Sequence, residues 1–206
     1  MQRVGSRHFL VYEFMAGGSL QDRLRADAAF PLTPKERFGV ASDVARGLTH
    51  LHTVANPPIL HQDIKSANVL LEQDAQSGQL VAKIADFGAA RVVPILQGTS
   101  TRTHHSTGNI IGTNAYMPLE YLTRGHVSEK TDTFAFGVVV LELLTGAKAA
   151  NRNTGELLSL AMYAILGESK KALEVVLDKR AGNTWSTSDM KKAHALGTIA
   201  RLRSGA

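Results

Sequence analysis

Four polar residues in two short stretches carry the chemical content of this chain. Asp63, Lys65 and Asn68 stand in His61-Gln62-Asp63-Ile64-Lys65-Ser66-Ala67-Asn68, and Asp86 opens Asp86-Phe87-Gly88. A carboxylate such as Asp63 can orient a hydroxyl nucleophile and take its proton. Lys65, two residues on, can neutralise charge on a phosphoryl group. Asn68 and Asp86 offer hard oxygen ligands of the kind Mg²⁺ accepts, since that ion takes one or two protein carboxylates and completes its shell with phosphate and water. Together the set suits phosphoryl transfer, a reaction in which positioning and electrostatics do most of the catalysis. Each residue alone has an ordinary explanation as a surface charge, a turn or a helix cap. The joint pattern, set at fixed offsets between apolar runs, does not.

The elements that must hold these groups are readable nearby. Val69-Leu70-Leu71 and Val81 to Ala85 are short apolar runs that read as strands. The stretch between them, with Asp74, Ser77 and Gly78, reads as a turn, so the pair predicts a hairpin that brings Asn68 next to Asp86. Thr33 and Pro34 open a long helix with apolar Phe38, Ala41, Val44, Ala45, Leu48 and Leu51 at helical spacing. Thr131 or Asp132 is expected to cap a helix reaching Leu144 and stopped by Gly146; it is apolar all round, which predicts burial. Phe9 to Tyr12 reads as a strand, Ser19 as the cap of a short helix to Arg25, and Leu157 to Leu166 and Ser188 to Arg203 as further helices. The expected fold class is mainly α with a few short β strands.

Composition narrows the class. The chain has 206 residues, 44% hydrophobic and 20% charged, enough for one domain with a sizeable core. Its net charge of +5 is scattered rather than clustered, which argues against a dedicated nucleic-acid surface. It has no cysteine, hence no disulfide framework and no thiolate zinc site. The best apolar run, Phe134 to Leu144, contains Glu142 and falls well short of the roughly twenty residues a membrane span needs. A soluble, cytoplasmic chain is expected. Gly146-Ala147-Lys148 lacks the spacing of a phosphate-binding loop, Gly17-Gly18 is no phosphate cradle, and His104-His105 reads as a solvated pair.

With these residues in view, the chain resembles the carboxyl-terminal lobe of a eukaryotic protein kinase. His61-Gln62-Asp63 with Asn68 resembles the H-R-D catalytic loop (61–68), and Asp86-Phe87-Gly88 is D-F-G. Gly112-Thr113-Asn114-Ala115-Tyr116-Met117-Pro118-Leu119-Glu120 resembles the end of an activation segment spanning 86–120, and Asp132 to Gly137 the opening of the buried central helix. Leu10-Val11-Tyr12-Glu13-Phe14-Met15, Gly18-Ser19-Leu20 and Gly137 through Leu144-Thr145-Gly146 are similar to the tyrosine-kinase-like group, including interleukin-receptor-associated and plant receptor-like kinases. Lys65 together with Thr113 resembles the serine/threonine enzymes. Small-molecule kinases of the aminoglycoside type share H-x-D-x-x-x-x-N but generally lack the Gly-Thr…Tyr…Glu segment.

The resemblance implies ATP and Mg²⁺ as cofactors, a protein substrate, and an upstream receptor or adaptor as partner. It implies Asp63 as base, Lys65 on the γ-phosphate, Thr113 tying the substrate loop to Asp63, and Asn68 and Asp86 on Mg²⁺. It places Tyr12 as gatekeeper, Glu13 and Met15 in the hinge, Asp22 near the ribose or, as an equal alternative, stabilising a helix start, and Leu70 under the adenine. His61 and Phe87 would stack, held by Asp132 through backbone bonds. It further implies a single partial kinase domain over residues 1–206, hinge and large lobe from about residue 9, with the small lobe's Gly-rich loop, lysine and glutamate largely absent. Little or no activity is then expected of the isolated chain, and a non-catalytic scaffold or an incomplete gene product is the alternative. Gln62 replaces the usual Arg, and a neutral amide cannot make a bidentate contact with phosphate. Switching by phosphorylation of Thr99, Ser100, Thr101, Thr103, Ser106 or Thr107 is accordingly disfavoured. Glu120 lacks its usual Arg partner, for which Arg201 or Arg203 is a poor substitute.

Overall fold

A computed structural model of the chain describes residues 10–25, 27–28, 30–93, 105–106, 114–151, 153–159, 175–181 and 185–202. In order these hold α1 (Leu20–Arg23), α2 (Pro34–Thr49), β1 (Ile59–Leu60), β2 (Val69–Gln73), β3 (Leu80–Ile84), β4 (Arg91–Val92), β5 (His105–Ser106), α3 (Leu119–Arg124), β6 (His126–Val127), α4 (Glu129–Thr145) and α5 (Thr187–Leu202). The strands form three separate antiparallel pairs: β1 with β4, β2 with β3 and β5 with β6. The fold is mainly helical with small sheets, as the patterning predicts.

Local chemistry explains most of the boundaries. Thr33 and Glu36 form a capping box on α2: the Thr33 Oγ1 accepts from the Glu36 N–H at 3.3 Å, and Glu36 Oε2 accepts from the Thr33 N–H at 2.8 Å. The β2–β3 hairpin pairs Val69 with Ile84 through Gln73 with Leu80. Its turn is held by Asp74 Oδ1, which accepts from the Ser77 N–H and hydroxyl at 2.7 Å each, and Gly78 takes a φ of +66°. Gly17 packs where α1's entry crosses β2; a Cβ there would lie 2.4 Å from the Leu71 carbonyl oxygen.

The central helix α4 is buried on both sides. Val138, Val139 and Leu143 join Leu20, Val40, Val44, Ile64 and Leu71 in one core. Val140, Leu141 and Leu144 join Leu158, Leu177 and Ala193 in another, under Phe38 and Trp185. Each such buried aliphatic side chain contributes about 1.5–3 kcal/mol of transfer free energy, which explains why an all-round apolar helix sits at the centre. Gly146 ends it in the left-handed conformation at φ +66°.

Three expectations need correction. The α4 cap is Ser128, not Thr131 or Asp132. Ser128 Oγ accepts from the Lys130 N–H, and Thr131 Oγ1 accepts from the Ser128 N–H at 3.1 Å, so Thr131 completes the cap from inside the first turn. Of the strand expected over Phe9 to Tyr12, Phe9 lies outside the described residues and residues 10–12 form none, because among the described residues no strand edge lies beside them to pair with. The helix expected over 157–166 begins one residue later: Leu157 makes an isolated bridge to Ala150, Leu158 and Ser159 are helical, and residues 160–166 lie outside the described residues. Among the described residues, no helix is long and apolar enough to cross a membrane.

Candidate active site

Two loops converge because both are strung between the same two strand pairs. The 61–68 loop runs from β1 to β2, and the 85–90 segment runs from β3 to β4. The Ala85 N–H donates to the Asn68 carbonyl at 2.8 Å, closing the mouth of the hairpin. Asn68 and Asp86 thereby emerge side by side, as the predicted hairpin requires.

Asp132 anchors the loop from below. It is 1% exposed, and its carboxylate accepts from the His61 and Gln62 N–H groups at 2.8 Å each and bonds His52 Nε2 at 2.8 Å. His61 and Phe87 do meet, but edge-to-face rather than stacked, with ring centres 4.9 Å apart at 64°. The Asp63 N–H donates to His61 Nδ1 at 3.3 Å, so Nε2 carries the proton and donates to the Ala85 carbonyl at 3.1 Å. Burial pushes the His61 imidazole below its ordinary range despite nearby carboxylates, which agrees with this neutral tautomer. Gln62 at φ +66° and Asp86 at φ +63° are the positive-φ residues other than glycine among those described, one in each converging loop.

Asp63 lies at the centre. Its Oδ2 accepts from Lys65 Nζ at 2.6 Å and from Asn68 Nδ2 at 3.1 Å, and the same Nδ2 donates to the Asp63 carbonyl at 2.9 Å. With both Asn68 donations spent on Asp63, the Asn68 Oδ1 is turned away from that residue and is the atom a cation would meet. Asp86 is exposed, and its Oδ1 accepts from the Gly88 N–H at 3.3 Å. Among the described residues no cluster of three His, Cys, Asp or Glu side chains forms a protein-only metal cage. One carboxylate and one amide oxygen on adjoining loops fit Mg²⁺ of the phosphate-bound kind, which relies on substrate oxygens for the rest of its shell.

The expected nucleotide side is more open. Tyr12 is 73% exposed, so the gatekeeper enclosure expected of it is not built by the described residues. Glu13 is exposed and pairs with Lys83. Met15 is buried and its carbonyl accepts from the Gly18 N–H at 3.2 Å. Leu70 is half-buried and bridges to Ser19. Asp22 accepts from the Ser19 hydroxyl at 2.6 Å in a reciprocal α1 cap, so its observed work is helix-start stabilisation. Thr113 and the Thr and Ser positions 99–103 and 107 lie outside the described residues. Of Ser106 only the backbone is described, paired with His126. Glu120 is exposed in the first turn of α3, so its carboxylate is left to water rather than buried without its partner. The side chains of Arg201 and Arg203 lie outside the described residues.

Two buried polar assemblies match no motif in the sequence. Arg37, 1% exposed, donates to the Leu32 and Leu143 carbonyls and to Asp178 Oδ2 at 2.7 Å; Asp178 is also clamped by Arg180. Burial pushes the Asp178 carboxyl up, but hydrogen bonds from Arg180 and Arg37 outweigh it and hold the group below its ordinary value. Glu142, 4% exposed on α4, accepts from Ser66 Oγ at 3.0 Å and Tyr116 Oη at 2.8 Å. The one signal for both is an ionisable residue inside a core-facing stripe, which must find partners.

The family profile described as "Protein kinase domain" matches residues 2–190. The chain is 40% identical over 181 residues to "Probable serine/threonine-protein kinase PBL2" of Arabidopsis thaliana, covering 86% of this chain and 40% of that protein. It is 42% identical over 147 residues to "Calmodulin-binding receptor-like cytoplasmic kinase 2" of Arabidopsis thaliana, covering 71% of this chain and 34% of that protein. It is 37% identical over 194 residues to "Serine/threonine-protein kinase PBL13" of Arabidopsis thaliana, covering 93% of this chain and 37% of that protein. The chain thus spans well under half the length of these relatives.

Proposed function

The chain belongs to the protein kinase domain family, and from that premise we propose that it forms the large lobe of a serine/threonine protein kinase, transferring the γ-phosphoryl group of ATP to protein hydroxyls. The observation that carries this reading is the arrangement at Asp63, where one carboxylate oxygen is held by Lys65 and Asn68 while α4 clamps the backbone just before it. In the reaction Asp63 orients the substrate hydroxyl and takes its proton as that oxygen bonds to the γ-phosphorus, while the bond from that phosphorus to the ADP oxygen breaks and ADP leaves. Lys65 moves from the Asp63 carboxylate toward the incoming γ-phosphate. Asn68 and Asp86 would hold Mg²⁺, which supplies charge neutralisation on the phosphate oxygens. Thr113 would tie the substrate segment to Asp63, the role its place in the resemblance implies. Tyr12, Glu13, Met15, Asp22 and Leu70 form the large-lobe side of the ATP site.

The domain assignment that follows is one partial kinase domain over residues 1–206, with hinge and large lobe from about residue 9. A protein substrate, an upstream receptor or adaptor and a cytoplasmic setting follow from kinship to receptor-like kinases, one of them named as cytoplasmic. The test joins the chain to a kinase small lobe and follows transfer from Mg²⁺–ATP to a Ser/Thr peptide. Transfer is expected, and Asp63→Asn should reduce it roughly 10²–10⁴-fold, the range for losing a general base, with unchanged thermal stability. Transfer that Asp63→Asn leaves intact refutes the assignment. Absence of transfer with Mg²⁺–ADP binding intact points to the scaffold reading instead.

A further inference from the structure

One buried cluster joins the two sides of the site without belonging to the groups that meet nucleotide or acceptor. Ser66 lies in the helical turn between Lys65 and Asn68, Tyr116 in the 114–116 turn that follows Thr113, and Glu142 on α4. Ser66 is 0% exposed, Tyr116 8% and Glu142 4%. Glu142 Oε1 accepts from Ser66 at 3.0 Å, Oε2 accepts from Tyr116 at 2.8 Å, and the two hydroxyl oxygens lie 3.1 Å apart. Helix α4 therefore grips the catalytic loop twice, through Asp132 at residues 61–62 and through Glu142 at residue 66. The second grip also reaches the substrate-side turn.

We propose that Ser66, Tyr116 and Glu142 are positioning residues that couple the catalytic loop to the 114–116 turn, through a carboxylate whose charge state sets how tightly the two are held. This deepens the kinase reading of the site and rests on it. Donor counting supplies the physical argument. When Glu142 is ionised, both hydroxyls must donate to it, each in a charge-assisted bond. When it is protonated, its own hydrogen must be placed, and the 3.1 Å spacing allows a closed ring: Glu142 to Ser66, Ser66 to Tyr116, Tyr116 back to Glu142. All three bonds in that ring are between neutral groups and are weaker.

The change between the two arrangements falls near neutral pH. Burial pushes the Glu142 carboxyl up to about 7, against the opposing bonds from Tyr116, Ser66 and the Ala149 N–H. Those are the groups facing it from the adjoining segments, and none of them is a charge. Burial and the nearby Glu142 also push the Tyr116 phenol up, so it stays a donor throughout. Since the two hydroxyls favour the ionised carboxylate, ionisation must in turn tighten their hold on it.

The test is nuclear magnetic resonance of the ¹⁵N-labelled chain between pH 5 and 9. The amides of Asn68 and Tyr116 are expected to titrate together with one midpoint near 7. Glu142→Gln should abolish the titration at both. Tyr116→Phe should raise the midpoint seen at Asn68 by about one pH unit, a tenfold change, because it removes one charge-assisted bond from the carboxylate. Ser66→Ala should do the same at Tyr116, which covers the case in which Tyr116→Phe fails to fold. Independent midpoints, or an Asn68 midpoint unmoved by Tyr116→Phe, overturn the coupling. In the transfer assay, kcat should fall below the midpoint while KM for Mg²⁺–ATP holds. Co-titration without any transfer keeps the coupling and sinks the kinase reading; transfer without co-titration does the reverse.

Discussion

Replacing Glu142 by Gln should make this protein more stable at pH 8 and leave it nearly unchanged at pH 5. The carboxyl moves from 4.5 to about 7 on folding, chiefly because burial disfavours its charge. Between those values the folded chain binds more protons than the unfolded one, so stability falls as pH rises through the window and is flat above it. A rise of about two and a half pH units corresponds to about 3 kcal/mol at the high-pH limit, at 1.36 kcal/mol per unit. Glutamine imitates the protonated state: its NH₂ donates to Ser66, its oxygen accepts from Tyr116, and no charge is buried. The expected gain at pH 8 is about 1–3 kcal/mol, or roughly 2–12 °C in Tm for a chain of this size. Urea unfolding of both proteins at pH 5, 6, 7 and 8 measures it. The comparison must be a difference between the two proteins, because His61 works in the opposite direction. Its lowered value makes the unfolded chain bind more protons below 6.5, so its contribution is present above that pH and lost as pH falls. A Glu142→Gln protein equally destabilised at pH 5 and pH 8, or a difference that does not grow with pH, refutes the reasoning.

Asp132→Ala should cost about 3–5 kcal/mol in urea unfolding, since it strands the buried His61 and Gln62 N–H donors and the His52 ring. Hydrogen exchange at the Gln62 amide should quicken in any variant that still folds, and an unchanged rate contradicts the anchoring role. Arg37→Met should cost about 3 kcal/mol, at the low end for a broken buried pair because Arg180 stays on Asp178. The lowered Asp178 value contributes stability above pH 3.8 that is lost as pH falls through its folded value. Acid unfolding of Arg37→Met should therefore begin at higher pH, and circular dichroism across the acid range reads it.

Local chemistry makes part of this protein legible in the chain alone. The β2–β3 hairpin follows from Asp74, Ser77 and Gly78 between two apolar runs, and the start of α2 from Thr33, Pro34 and Glu36. These depend on partners two to four residues away. The site residues Asp63, Lys65, Asn68 and Asp86 are legible for a related reason, because their spacing and the hairpin together force them into one place. The α4 cap lies three residues ahead of Thr131, which has the chemistry of a cap but serves Ser128 as its reciprocal partner. Choosing between two competent side chains needs the backbone path.

What only the tertiary structure decided is which distant side chains meet. Arg37 reaches Asp178 across 141 residues, and Glu142 gathers Ser66 and Tyr116 from 76 and 26 residues away. Sequence shows that an ionisable group on a buried face must have partners, since the alternative costs several kcal/mol. It does not name them, because side-chain periodicity records which face turns inward and not what stands opposite. The types and order of the candidate site residues are written in the chain itself. Their mutual orientation, and the titration of the carboxylate beneath them, come from the packing of α4 against loops remote in sequence.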